Sequence, residues 1–415
     1  MTGLSASQIH FTERSHATAA TRAPASYWLL LAFLFLLYAN LPLVIPSLDV
    51  LHPAKVVAGV ALVALVAERA FARKSLNFAW PEGSLLLGFL GAAALSSLTA
   101  LWPRLAAEAV SDLLLKTTIV FFFIVNCATT ERRLRGVMWI MVIGGLLPAA
   151  GTLKNYMQGN LFDGRAAWVG IFANPNELAY SLVILLPLAA FLATGMSLMP
   201  RLALLGIALL YVAAILVTFS RSGLLGLVAV IGLYAWRKRS ILLQGLIVLL
   251  VVAGLVLGGR FWTRGEGFTN LNQDVTVRQR LATSEAGLAM FADHPLLGVG
   301  LGCSVIAWPL YAPEGLYTRG ALVTHNTFIQ ALGETGAIGF IPFILFIGFG
   351  LYHVRKVALA SAQTGLANLG TGIEIAIWGF VACGLAGGYV LTWFPYILLG
   401  LAASARQIQL RGETP

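Results

Sequence analysis

Apolar runs long enough to cross a lipid bilayer constrain the fold of this chain more than any other feature. A transmembrane helix needs about 20 mostly apolar residues. Runs of this kind begin near Trp28, Ala54, Gly83, Asp112, Val137, Pro175, Leu202, Gly223, Ile241, Gly336, Gly372 and Val390. With 59% hydrophobic and 11% charged residues over 415 positions, the chain is too apolar for a soluble fold. We therefore predict an all-α polytopic integral membrane protein with about twelve transmembrane helices.

Basic residues predict the orientation of these spans, because cytoplasmic loops collect lysine and arginine. A cytoplasmic N-terminus puts both tight basic clusters, 132–135 and 237–239, on the cytoplasmic side, together with both chain termini. The prediction in chain order is a cytoplasmic tail (1–27), transmembrane helices 1–9 (28–258), a long outer loop (259–335), transmembrane helices 10–12 (336–405) and a second tail (406–415).

A set of basic residues opposes this charge rule, because the predicted topology places them on the outer side. Its members are Lys154, Arg165, Arg221, Arg260, Arg264, Arg278, Arg280 and Arg319. Such a bias indicates an anionic ligand at the outer face. The alternative is that outer loops tolerate arginine and that some of these residues pair with nearby carboxylates. The net charge of +10 does not indicate a nucleic-acid partner, because the basic residues are scattered between apolar runs.

The outer loop contains a predicted amphipathic helix, Thr276–Ala292, because apolar residues recur there at helical spacing. We expect this helix to lie on the membrane rim, and Pro295 with the glycines that follow it to end it. Arg278 and Arg280 are two positions apart and point about 200° away from each other. Only one of them can readily face a common site, and we favour Arg280.

His325 opens the helix that follows the loop. A helix N-terminus and nearby arginines both disfavour the imidazolium, so the neutral ring can act as a general base near pH 7. The alternative is a structural histidine. Asn326 either orients the ring or caps the helix.

Four further residues are candidates for the site. Ser220 and Arg221 interrupt two apolar runs, where the arginine either binds a ligand or reaches the membrane interface as a snorkelling side chain. Asn174 precedes Pro175 in the arrangement of an ordinary helix start. Glu334 is either part of the site or a buried partner for an arginine. No ligand pattern for a metal and no cofactor motif occurs in the sequence, so we predict neither.

Taken together, several segments resemble the O-antigen ligase and polymerase superfamily. The segments are 218–226 (TFSRSGLLG), Arg280 with 293–300 (DHPLLGVG), His325-Asn326 with 334–336 (ETG), and Arg165 with 170–176 (GIFANPN). The resemblance implies a GT-C-type glycosyltransferase of the bacterial inner membrane with its active site facing the periplasm. Its substrates would be O-antigen on undecaprenyl pyrophosphate as donor and a sugar hydroxyl of lipid A-core as acceptor.

The resemblance also implies roles for individual residues. Arg221 and Arg280 would hold the pyrophosphate, with Arg165 and Arg278 assisting, and His325 would take the proton from the acceptor hydroxyl. Attack opposite the leaving group would invert the anomeric carbon, without a metal or other cofactor. Ser220, Asn174, Asn326 and Glu334 would support these groups.

Three other functions remain open at this point. An O-antigen polymerase would use the same donor with a lipid-linked glycan as acceptor, and a protein O-oligosaccharyltransferase would accept serine or threonine. A lipid-glycan transporter would perform no catalysis. Transporters tend to place polar sites near the membrane midplane, whereas the basic residues here are predicted at the outer rim.

Overall fold

The structure is a computed structural model that describes residues 23–45, 51–239, 275–313, 322–360 and 365–413. Within these ranges the chain is helical, and its only β-type pairing is an isolated bridge between Phe162 and Arg165. The helices are α1 (Ala25–Ala39), α2 (Leu41–Val44), α3 (Pro53–Phe71), α4 (Glu82–Leu98), α5 (Pro103–Cys127), α6 (Glu131–Met157), α7 (Pro175–Leu192), α8 (Leu198–Val217), α9 (Arg221–Lys238), α10 (Val275–Asp293), α11 (Ser304–Tyr311), α12 (Thr327–Leu359), α13 (Gly365–Gly384) and α14 (Phe394–Glu413).

Six of the described helices are long and apolar enough to cross a membrane, namely α5, α6, α7, α8, α12 and α13. Helices α1 and α4 are apolar but shorter. The predicted class of an all-helical polytopic membrane protein agrees with this architecture. Each predicted apolar run corresponds to a helix except the run at Ile241, which lies outside the described residues. The span number of about twelve and the GT-C type stay predictions.

Helix α7 lies at the centre of the bundle and is apolar on all sides, as expected of a fully enclosed helix. It packs against α6, α8, α9 and α13. Close packing in this region depends on small residues, because the backbone of Gly226 on α9 approaches Cys383 and Val183. The buried centre therefore fixes the starts of α7 and α9, which carry polar residues at one end of the bundle.

Helix α10 confirms the helix predicted over Thr276–Ala292. Its residues Ala282, Ala286 and Met290 face a buried cluster, whereas Leu281 and Leu288 are exposed. Its position on a membrane rim stays a prediction. Helix α10 packs closely on α12, because a Cβ atom added to Gly333 would lie only 2.7 Å from the carbonyl oxygen of Gly287. This close crossing brings the start of α10 and the start of α12 to the same end of the bundle.

Helix α12 is broken at Gly336, whose φ of +59° is outside the helical region. In an unbroken helix, the N–H groups of Ala337 and Ile338 would donate to the carbonyls of Gly333 and Glu334. They donate instead to the carbonyls of Pro295 (2.9 Å) and Leu296 (3.2 Å).

The carbonyls left without helical partners at the break accept from the same passing segment. Val299 N–H donates to Gly333 (3.0 Å), and Gly300 N–H donates to Glu334 (3.0 Å). The segment 295–300 thus exchanges four backbone hydrogen bonds with α12 and holds its first turns in place.

Candidate active site

A hydrogen-bonded group at the starts of α7 and α9 holds Arg165. The Nε of Arg165 donates to the Thr218 carbonyl (2.9 Å), and its Nη2 donates to the Asn176 Oδ1 (2.7 Å). The Ser220 hydroxyl donates to the same Asn176 oxygen (2.8 Å) and accepts from the Gly223 N–H (3.1 Å) as the cap of α9. Asn176 thus joins two segments that lie 44 residues apart in sequence.

Arg280 lies near both Arg165 and His325. Burial and the charge of Arg280 lower the pKa of Arg165 to about 10. Burial and the same charge lower the pKa of His325, while the Val323 carbonyl acts in the opposite direction. The Nδ1 atom of His325 is buried and has no hydrogen-bond partner in the described part of the chain. Arg280 therefore acts on both Arg165 and His325, and the three residues come from segments that are distant in sequence.

The other two predicted arginines differ in position. Arg221 is the first residue of α9, directly after the Ser220 cap, and is partly buried. Arg278 is exposed, whereas Arg280 is partly buried and acts electrostatically on the group. This difference follows from their opposite directions on α10.

Asn174 and Asn326 are helix caps. The Asn174 side chain accepts from the Asn176 N–H (2.9 Å) at the start of α7. The Asn326 oxygen accepts from Phe328 N–H (2.9 Å) and Ile329 N–H (3.1 Å), and its amino group donates to the Leu385 carbonyl (3.3 Å). Of the two roles considered for Asn326, the geometry shows the cap.

Glu334 is completely buried in α12, where its described partners are neutral rather than the arginine that was considered. Its carboxylate accepts from the Ser304 hydroxyl (2.5 Å) and the Gly302 N–H (2.9 Å). The Gln330 amide donates to it as well (3.3 Å). Glu334 therefore fastens the start of α11 to α12, nine positions beyond His325 in sequence.

Comparisons with known proteins identify a family that this chain resembles. A family model described as O-Antigen ligase matches residues 206–344. The resemblance to this family is thereby confirmed. The part of this chain that the family model matches contains Arg221, Arg280 and His325, whereas Arg165 and Asn176 precede it.

Two individual proteins are also similar. The exopolysaccharide production protein ExoQ of Rhizobium meliloti (strain 1021) is 29% identical over 236 residues, which cover 53% of this chain. The match spans about half of that curated relative, 54% of its length. A chain from the structure reported as "Structural coordination of polymerization and crosslinking by a peptidoglycan synthase complex" matches with a TM-score of 0.46 and 15% identity. That match covers 80% of this chain and 98% of that one.

Sequence reasoning missed two residues of the group. Asn176 was visible only as part of the segment that resembles the O-antigen ligase family, and its two side-chain bonds could not be foreseen. Tyr389 lies between α13 and α14, and its hydroxyl is 3.4 Å from the Ser222 hydroxyl. Its N–H donates to the Thr327 hydroxyl (3.0 Å), so this residue links α9 to α12. No sequence signal marked it.

Three outer arginines of the prediction, Arg260, Arg264 and Arg319, lie outside the described residues. In the part of the chain that the structure describes, no group of three His, Cys, Asp or Glu residues could hold a metal ion. Metal independence stays a prediction.

Proposed function

We propose that this protein is an O-antigen ligase. In this reaction, O-antigen polysaccharide moves from undecaprenyl pyrophosphate to a sugar hydroxyl of lipid A-core at the periplasmic face of the inner membrane. The observation that carries the proposal is the position of Arg280, whose charge lowers the pKa of both Arg165 and His325 at one end of an apolar helix bundle. The match of residues 206–344 to the O-antigen ligase family supports the same reaction class.

In the proposed reaction, the arginines hold the donor's pyrophosphate. Arg221 and Arg280 are the principal ligands, with Arg165 assisting, whereas the exposed Arg278 points away from this group. Guanidinium groups bind phosphate oxygens through paired, charge-assisted hydrogen bonds. Fixed positive charge also stabilises the negative charge that develops on the leaving pyrophosphate. No metal ion is needed in this proposal.

His325 is the proposed general base. Its imidazole takes the proton from the acceptor hydroxyl while the oxygen attacks the anomeric carbon, and the bond from that carbon to the pyrophosphate oxygen breaks. Undecaprenyl pyrophosphate leaves with the bonding electrons, and the configuration inverts. Burial and Arg280 both lower the pKa of His325, so that its neutral form predominates near pH 7.

A second candidate is polymerisation, in which the acceptor is another lipid-linked glycan. The observation that favours it is the similarity to ExoQ, which is described as an exopolysaccharide production protein. The donor and the base would be unchanged, so only the acceptor separates the two functions.

The test is a transfer assay with purified protein in liposomes. The substrates are undecaprenyl-pyrophosphate-linked O-antigen and lipid A-core, with EDTA and His325→Ala as controls. A ligase produces glycan-bearing lipid A-core in the presence of EDTA, and His325→Ala abolishes the product. Growth of the glycan on the undecaprenyl carrier without transfer to lipid A-core would identify the polymerase instead. Movement of intact donor across the bilayer that persists in His325→Ala, without any product, would identify a transporter.

A further inference from the structure

The side chain of Asn176 is held with its oxygen towards the protein. Its Oδ1 accepts from the Arg165 Nη2 (2.7 Å) and from the Ser220 hydroxyl (2.8 Å). A guanidinium has donors and no acceptor, so the amide oxygen, and not the amino group, must face Arg165. The orientation of the amide is therefore fixed by chemistry as well as by geometry.

The amino group of Asn176 points away from these partners. Within the described part of the chain, both bonds of the side chain go to its oxygen, which leaves two N–H donors for a ligand. Asn176 is only partly buried, and it contacts Arg165, whose pKa is lowered by burial and by Arg280. The donors thus lie beside the arginines of the candidate site.

We propose that the Asn176 amino group binds the donor's pyrophosphate directly, as a neutral hydrogen-bond donor next to Arg165. This inference rests on the proposed function and adds a ligand-binding residue to it. A neutral donor contributes a hydrogen bond to a phosphate oxygen without adding to the repulsion between Arg165 and Arg280. Asn176 therefore has two roles, since its oxygen positions Arg165 and its amino group contacts the anion.

The change Asn176→Asp separates these two roles. A carboxylate has the same shape and can accept from both Arg165 and Ser220, so the structural bonds survive. The amino group is replaced by an anionic oxygen, which repels a phosphate. Asn160→Asp is the matched control, because it adds the same charge at an exposed asparagine whose described side-chain bond goes to Gln158 and not to the candidate site. Asn176→Ala removes both roles.

The experiment measures binding of undecaprenyl pyrophosphate to each purified variant in detergent, together with its thermal unfolding midpoint. We expect Asn176→Asp to weaken binding about 10- to 100-fold with an unchanged midpoint. Asn160→Asp should bind within about twofold of the wild type, a change smaller than the effect of one charged hydrogen bond. Asn176→Ala should weaken binding and also lower the midpoint.

Wild-type affinity in Asn176→Asp would overturn the inference while leaving the proposed function intact. Equal losses in Asn160→Asp and Asn176→Asp would also overturn it, because added charge alone would then explain the effect. A wild-type protein that does not bind undecaprenyl pyrophosphate would overturn the proposed function itself, and the inference with it.

Discussion

The two ends of the bundle hold their basic residues in different ways. At the end furthest from His325, here called the carboxylate end, Glu374 accepts from Arg237 (2.5 Å) and Arg355 (3.3 Å). Glu82 at the same end contacts His353 (2.5 Å) and Arg406 (3.2 Å).

At the other end, here called the arginine end, Arg165 is held by neutral oxygens, and Arg280 acts on it and on His325. A buried carboxylate neutralises the basic group that it pairs with, and the fold depends on both partners because either one alone would be a buried, unpaired charge. A basic group held by neutral oxygens keeps its positive charge available for an anion. The two ends therefore differ in whether a buried carboxylate pairs with the basic side chains, and not in how many basic side chains they contain.

The largest effect should come from exchanging the histidines of the two ends for glutamine. We expect His325→Gln at the arginine end to lower kcat about 10²- to 10⁴-fold with little change in unfolding temperature, because it removes the proposed base. His353→Gln at the carboxylate end should change stability and leave the transfer rate of the folded protein nearly intact. Transfer assays and thermal unfolding in detergent measure both. A rate loss in His353→Gln equal to that of His325→Gln would break the comparison.

Removing a buried carboxylate should have the next largest effect. We expect Glu82→Gln to lower the free energy of unfolding by about 3 kcal/mol, because His353 and Arg406 then lose their buried anion. The matched change Glu108→Gln disrupts an exposed pair with Arg104 and should cost less than about 1 kcal/mol. Denaturant-induced unfolding in detergent measures the free energy of unfolding of both variants. Equal stability of the two variants would show that the carboxylate end is not a stabilising region.

Arg280→Ala tests the electrostatic link at the arginine end. We expect KM for the donor to rise about 10- to 100-fold, because a charged hydrogen-bond partner of the pyrophosphate is lost. The pKa of His325 should rise as well, since Arg280 lowers it. The neutral base exists above this pKa, and activity falls as pH falls through it, so the acid limb of the kcat/KM profile should move to higher pH. An unmoved acid limb would contradict the assignment of His325 as the titrating base.

The smallest effect should come from the α12 cap. We expect Asn326→Ala to lower the free energy of unfolding by about 1 kcal/mol, because the N–H groups of Phe328 and Ile329 lose their acceptor. Asn326→Asp keeps an acceptor and serves as the control. A large rate loss in both variants with unchanged stability would indicate that Asn326 acts on the ring of His325 and not only as a cap.

Local patterns predicted part of this structure well. Helix α10 was recognisable from apolar spacing and from Pro295, and the cap at Asn326 was among the roles considered for that residue. These features depend on neighbours within a few residues, so the sequence contains the information.

Long-range partners could not be predicted in the same way. Two partners of Glu334, Gly302 and Ser304, lie 32 and 30 residues away, and Asn176 joins Arg165 to Ser220 across two segments. The roles of Glu82 and Glu374 could not be predicted, because a lone glutamate in an apolar run does not show which cation it contacts. Pairing between distant helices is decided by packing, and one sequence does not display it.

The break in α12 affects the distance between His325 and the lipid tails. Beyond Gly336, roughly 23 residues remain, which extend about 35 Å and can cross a hydrocarbon core of about 30 Å by themselves. The first turns of α12 are then not needed to cross the hydrocarbon layer and can lie outside it. His325 is up to about 16 Å from Gly336. If His325 is the base, as proposed, the hydroxyl that it deprotonates belongs to a headgroup large enough to project from the bilayer. The distance of His325 from the lipid tails would then select acceptors by their size.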